Sequence, residues 1–309
     1  MINDNYPENF DITIYKNHNI DLSKLTNEQL TKHYKEYGNN EGRLCSKIKN
    51  RYDFINLINQ DLDILEIGPL CFPCMNHSKP NVKSVDYFSK DELIENYKND
   101  PNIVSNKIIN VDYVIKDNKK YADIIDSKFD VCFSSHNIEH VPCLISFLNN
   151  ISDIIKSNGY FFLAIPDYRY CFDRYRNESN IFEVLNAYYN KVDKPSAISI
   201  CEMRYLTTHN TSSDHWNNFI NNSNQLQMNA KKEFYKTQSE IIINDFDNIV
   251  NLMNSNDKYI DSHCWKFTPD SFSYIINILN KTNLIKFNVL RVYPTLKNSH
   301  EFYVVLQKK

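Results

Sequence analysis

From Leu62 onward the chain repeats one alternation: a short apolar run, then a stretch with the spacing of an amphipathic helix. The apolar runs fall near residues 62–67, 82–86, 107–112, 129–134 and 160–165, and the helical spacings near 89–98, 119–126 and 141–157. Short strands joined through helices build βαβ units, and therefore a mostly parallel sheet with helices on its faces. Two more apolar runs, near 286–293 and 301–307, follow a helix opened by Thr268-Pro269-Asp270, with Phe272, Ile275, Ile276 and Leu279 along one face. In such a sheet ligands bind beyond the carboxyl ends of the strands. The residues just after each apolar run are therefore the ones to inspect for chemistry.

Composition narrows the function. A chain of 309 residues is long enough for one large domain or for one domain plus an appendage. A formal net charge of −3 speaks against a dedicated nucleic-acid binder, which needs a basic excess. No apolar run approaches the ~20 residues of a membrane span, and Met1-Ile2-Asn3-Asp4 lacks the basic and apolar regions of a leader. Of the 8 cysteines, Cys132, Cys143 and Cys171 sit among apolar neighbours and read as reduced thiols in an intracellular setting. Cys71 and Cys74 form a C-x-x-C, but no second pair completes a tetrahedral zinc site.

Three run ends stand out. Gly68 closes Ile64-Leu65-Glu66-Ile67-Gly68-Pro69, where a missing Cβ lets the backbone approach a ligand; the same Gly-Pro is also an ordinary turn. Asp86 closes the second run, where a carboxylate either accepts from both ribose hydroxyls of an adenosine group or caps the next helix. The fourth run leads into Ser134-Ser135-His136-Asn137-Ile138-Glu139-His140. His136 to His140 fits H-x-x-E-H, a zinc pattern that places both histidines on one helix face. Here it follows a strand and precedes Val141-Pro142, where a new helix begins, so a strand-end motif without metal is the first reading and zinc the second. His136 is the candidate general base or cofactor-loop contact, and His140 is expected to bond the neighbouring loop.

Together these stretches, with Asn158-Gly159-Tyr160 to Asp167, resemble the class I S-adenosylmethionine-dependent methyltransferases, and more narrowly the methyltransferases associated with glycan biosynthesis. The resemblance covers residues 60–309 and implies a Rossmann-like α/β sheet, mostly parallel with the last strand antiparallel, carrying a helical substrate insertion. It implies S-adenosyl-L-methionine as cofactor, held by Glu66, Gly68 and Pro69, by Asp86 with Tyr87, by Asp112 facing the adenine amino group, and by Ser135 with His136. The loop Pro69-Leu70-Cys71-Phe72-Pro73 departs from the usual glycine-rich one. Residues 10–46, where Thr26 and Gln29 form a capping box before Gly38 and Gly42, resemble a small helical module found beside glycosyltransferase domains in some bacteria and large viruses. That module either docks a glycosyltransferase or caps the main domain, giving domains 1–48 and 49–309.

The acceptor side is expected in an insertion at about residues 172–265, since long insertions usually carry function. Before it, Pro166-Asp167-Tyr168-Arg169-Tyr170-Cys171-Phe172-Asp173 resembles the narrower family. Arg169 either clamps an acceptor phosphate or carboxylate or pairs with Asp167 or Asp173. His209, with His215-Trp216, and later His263-Cys264-Trp265 place rings beside polar groups, so Trp216 reads as a sugar platform or as core. The function expected is O-methylation of a small-molecule or glycan acceptor, with His136 as base and Asp167, His215 and His263 as rivals. No nucleic acid, membrane span or metal enters this reading, and the location is cytoplasmic, the host cytoplasm if the chain is viral. The alternative is a catalytically inactive methyltransferase fold serving as a binding module in a glycan-synthesis assembly.

Overall fold

The computed structural model describes residues 6–101, 103–116, 119–221, 224–254 and 259–309; of residues 218–227, no side chain is described. Met1 to Asp4, read above for a leader, lie outside the described residues. Seven strands form one sheet: β1 (Ile64–Ile67), β2 (Val82–Asp86), β3 (Tyr113–Val114), β4 (Phe129–Ser135), β5 (Ile155–Pro166), β6 (Phe287–Tyr293) and β7 (Glu301–Lys308). Their order is β3-β2-β1-β4-β5-β7-β6. β1 to β5 pair in parallel, and β7 inserts antiparallel between β5 and β6. The expected class I methyltransferase sheet is the observed one.

The central strands β1, β4, β5 and β7 are largely apolar because both faces are covered. Along β5, Phe161, Leu163 and Ile165 join one core with Leu65, Ile67 and Cys132, beneath α6 (Leu144–Ile154) and α12 (Pro269–Lys281). The alternate residues Tyr160, Phe162 and Ala164 join the other core with Ile64, Val131 and Phe133, capped by Phe54 of α3 (Arg51–Ile55). Thr268 caps α12 through the N–H of Ser271, with Pro269 at the first turn.

Two sequence expectations shift. The third strand was expected at 107–112, but residues 105–107 form a 3-10 turn and the strand is only Tyr113–Val114. Ile108 instead packs with Cys71 and Leu93 in a satellite cluster outside the sheet, so its apolarity serves a loop. The helix expected to 157 stops at Ile154, because Ile155 already pairs with Phe129 of β4.

The insertion is helical, as expected: α7 (Ile181–Tyr189), α8 (Ala197–Tyr205), α9 (Ser212–Asn221), α10 (Asn224–Asn244) and α11 (Phe246–Asn254). The N-terminal segment carries α1 (Ile12–His18) and α2 (Asn27–His33), the latter with the Thr26–Gln29 capping box, around a small core of Tyr15, Leu22, Leu30 and Cys45. Between lie two short helices, α4 (Lys90–Asn96) after β2 and α5 (Tyr121–Ile124) before β4. Among the described residues no helix is long and apolar enough to cross a membrane.

Candidate active site

The carboxyl ends of β1, β2 and β4 meet as the sheet order requires. Gly68 follows β1 at φ +64, and a Cβ there would lie 2.9 Å from Asn137 Nδ2. Only glycine holds that backbone without strain. The Asn137 amide therefore closes over the β1 turn, while its Oδ1 is buried without a partner among the described residues, as is Ser134 Oγ. At the end of β2, the hydrogen-bond partners of the Asp86 carboxyl are backbone N–H groups, that of Phe88 at 3.3 Å and that of Tyr87. Burial with no cation nearby pushes its pKa up to about 6. Beside it Tyr87 stacks on Tyr259, ring centroids 5.6 Å apart, and both rings are exposed. A cradle that a Cβ would fill, unpaired amide and hydroxyl oxygens, and a carboxylate bonded to backbone N–H groups but to no cation among the described residues fit an adenosine group with its ribose diol.

Other expected cofactor residues are engaged by the protein. Glu66 is buried and its two oxygens accept from the N–H groups of Cys74 at 2.7 Å and Met75 at 3.1 Å, with His77 Nε2 at 2.6 Å. It organises the loop after Pro69, which is itself buried. Asp112 precedes β3 and accepts from the Ser84 N–H at 2.8 Å and from Ser84 Oγ at 3.1 Å, halfway along β2. It fastens the sheet edge instead of reaching the carboxyl ends. Ser135 ends β4, paired with Ala164.

His136 follows at φ +48, a left-handed conformation that a histidine adopts only when its surroundings hold it there. Its Nε2 lies 2.9 Å from Glu301 Oε2 at the start of β7, and its side chain is 30% exposed. Arg51 of α3 ion-pairs with the same carboxylate, and Tyr303 donates its hydroxyl to Oε1 at 2.8 Å. Burial raises the pKa of Glu301, but His136 and Arg51 outweigh it and hold the group well below the usual carboxylate range. Neither Glu301 nor Arg51 was singled out from the sequence. The hint was a polar pair, His300-Glu301, opening an apolar strand.

A second cluster lies on the other side of His136. Glu139 is 1% exposed and neither carboxylate oxygen has a hydrogen-bond partner among the described residues. Its Oε1 lies 3.8 Å from His140 Nε2, 4.0 Å from His263 Nε2 and 3.9 Å from His136 Nδ1. The far nitrogens are tied: His140 Nδ1 to Asp261 at 2.9 Å and His263 Nδ1 to Asp173 at 2.5 Å. Burial alone would lower the pKa of His140, but Asp261 and Glu139 together push it up to about 9. The Glu139 carbonyl also accepts from the N–H groups of Cys264 and Trp265, so the insertion's end is stitched to the β4 turn. His140 thus bonds the neighbouring loop, as expected.

The remaining acceptor-side candidates are occupied. Asp167 is fully buried; Arg169 forms a two-pronged pair with it at 2.9 and 2.7 Å, and Thr295 Oγ1 donates at 2.7 Å. The intramolecular alternative for Arg169 is the one observed, and no lone pair of Asp167 faces the cleft. His215 is buried, stacks on the exposed His209 at 4.1 Å and places Nε2 2.8 Å from the His209 carbonyl. Burial lowers its pKa to about 4, so it stays neutral. Trp216 is 1% exposed, stacked on Tyr170 at 3.7 Å, with its indole N–H donated to the Ser299 carbonyl. It is a core residue with no face left for a sugar. Trp265 is likewise buried, its N–H given to Val141.

Comparison with known proteins follows the same lines. Residues 74–163, from the loop after β1 through most of β5, match a family described as methyltransferase domain. Comparison with curated proteins gives no match. Among solved structures, the chain is similar to an S-adenosylmethionine-dependent methyltransferase from Clostridium acetobutylicum at 10% identity and TM-score 0.38, over 91% of this chain and 98% of that one. It is also similar to the CcbJ methyltransferase of Streptomyces caelestis at 9% identity and TM-score 0.36, over 88% and 95%. A third, the trans-methyltransferase CalH solved with SAH, shows 11% identity and TM-score 0.37 over 95% and 65%. With the sheet order described above, the family match makes this a transferase of the EC 2.1.1 type whose cofactor is S-adenosylmethionine.

Proposed function

We propose that the enzyme O-methylates a hydroxyl of a sugar or glycan acceptor. The observation that carries this reading is His136, partly exposed at the end of β4 and bonded through Nε2 to a Glu301 that Arg51 keeps ionised. A carboxylate on one imidazole nitrogen orients the ring and strengthens the other as a proton acceptor. An acceptor thiol or carbanion would need little such help; a hydroxyl, with its high pKa, does. The sugar class is supported by the resemblance of residues 166–173 and by the exposed Tyr87–Tyr259 pair, an aromatic surface at the rim beside polar groups.

When bound, S-adenosylmethionine supplies a methyl group made electrophilic by its sulfonium. Asp86 would accept from the ribose hydroxyls, and the Gly68 turn under Asn137 would seat the adenosine. His136 Nδ1 would take the hydroxyl proton as the acceptor oxygen is held about 3–3.5 Å from the methyl carbon. The helices of residues 172–265 wall the acceptor side in this reading, and residues 10–46, with a core of their own, are the part available to dock a glycosyltransferase.

The test is transfer of an isotope-labelled methyl group to a panel of nucleotide sugars and glycans, read by mass spectrometry. His136→Ala should cut turnover by about 10²–10⁴-fold and leave cofactor affinity unchanged. Full turnover in that variant would remove His136 as the base. A protein that binds the cofactor and methylates no sugar in the panel would count against the acceptor class.

A further inference from the structure

Glu139 raises a question that the methyl-transfer reading leaves unanswered. A fully buried carboxylate with both oxygens unpaired is costly, and such groups in native proteins call for a missing partner. Three histidine nitrogens face it, yet at 3.8 to 4.0 Å they are too far to hydrogen-bond. The separation instead matches ligands that share an ion. Donors at ~2.0–2.2 Å from a tetrahedral zinc stand roughly 3.3–3.5 Å from one another, so the two Glu139–histidine distances of 3.8 and 4.0 Å would close by roughly half an ångström around an ion.

We propose that Glu139 Oε1, His140 Nε2 and His263 Nε2 bind a divalent transition-metal ion of the zinc type. The three atoms lie within 4.8 Å of one another. Two imidazoles with one carboxylate are a zinc-like donor set; magnesium and calcium favour oxygen ligands. Both histidines carry the outer partner that metal-bound histidines need: Asp261 on Nδ1 of His140 and Asp173 on Nδ1 of His263, with Arg176 in turn 2.7 Å from Asp173. Such carboxylates fix the ring so that Nε2 offers its lone pair inward. Nothing else among the described residues satisfies Glu139, and an ion between these atoms would neutralise the carboxylate and give Oε1 its partner.

Three protein ligands leave a tetrahedral ion one open position, and His140 is 25% exposed toward solvent. The ion would also clamp the end of the insertion, through His263, to the β4 turn. The H-x-x-E-H spacing enters differently from a helical zinc site: residues 138–140 form a turn, Glu139 is a ligand and not a base, and the third ligand comes from the insertion. This site goes beyond the methyl-transfer reading, because it is assigned from ligand geometry alone.

The experiment is titration of the metal-free full chain with Co²⁺, read by the visible absorption bands of four-coordinate cobalt, followed by displacement with Zn²⁺. The expected result is one equivalent bound. Glu139→Gln or His263→Ala should weaken it by more than about 100-fold, and Asp261→Asn, a half-exposed position that spares the fold, by about 10–100-fold. A His18→Ala control on the exposed end of α1 should leave it unchanged. No bands in a folded wild-type protein, or bands unchanged in all three site variants, would overturn the proposal. Should the first two variants not fold, wild-type unfolding is decisive: Zn²⁺ should raise the melting temperature and a chelator reverse it, and indifference to both overturns the site. S-adenosylmethionine titration of the same metal-free protein separates failure of this site from failure of the methyltransferase reading.

Discussion

Replacing Asp86 by Asn should make the free protein more stable and a worse cofactor binder. A free aspartate titrates near 3.9, at about 1.4 kcal/mol per tenfold change in proton affinity. Burial at the end of β2 pushes Asp86 up to about 6. Ionised Asp86 therefore costs the unliganded protein on the order of 1–3 kcal/mol, the lower figure allowing for its partial exposure. The sign follows from proton linkage. With a folded-state pKa above the unfolded one, the group favours folding at low pH, and that contribution is lost as pH rises through about 4 to 6. Asn keeps the oxygen that accepts from the Phe88 N–H and removes the charge. At pH 7 the variant should melt a few degrees higher, about 2–5 °C, and the difference should vanish near pH 4. Cofactor binding should move oppositely, weakening by roughly 10- to 100-fold, as charge-assisted bonds to ribose hydroxyls become neutral ones. A variant that melts no higher at pH 7, or binds the cofactor as well as wild type, would refute the reasoning.

Other perturbations test neighbouring parts. Gly68→Ala places a Cβ 2.9 Å from Asn137 Nδ2 in a left-handed turn; it should cost about 1–2 kcal/mol in chemical unfolding and weaken cofactor binding further by displacing the amide. Trp216→Ala should lose about 3–5 kcal/mol in denaturant titration, since the ring is buried against Tyr170; a sugar platform would instead leave stability intact and lower acceptor affinity. Glu301→Gln removes the charge shared by His136 and Arg51. Because that carboxyl is held below its usual range, its stabilising contribution is present at neutral pH and lost as pH falls below about 4. The variant should be less stable than wild type at pH 7, converge with it in acid, and lose turnover along with the wild-type pH profile.

The sheet was legible because strands covered on both faces carry apolar runs, such as Phe161–Ile165 of β5 and Phe302–Leu306 of β7, even where a buried Glu66 or Ser84 interrupts them in β1 and β2. β3 was misplaced for the same reason inverted: Ile108 is apolar for a loop cluster, while the two-residue edge strand carries little signal. Gly68 and Asp86 could be read because each ends an apolar run, where the fold places ligands. What could not be read is which acid meets which base. Asp86 and Glu66 look alike in sequence, but one is half-buried and bonded only to backbone N–H groups next to it, and the other is filled by its own loop and His77. The partner of His136 comes from the start of β7 and is itself paired with Arg51 of α3, and the His263 that faces Glu139 comes from the end of the insertion, separations across which no local pattern runs. Trp216 beside His215 looked like a platform because an indole that gives its N–H to a buried carbonyl has the same sequence as one that greets a sugar.

The most direct test of the central claim is calorimetric titration of the full chain with S-adenosylmethionine. One equivalent bound at a micromolar Kd, about −8 kcal/mol, and competed by S-adenosylhomocysteine is the predicted result. A folded protein that binds neither would contradict the account and leave the chain a methyltransferase fold without its chemistry.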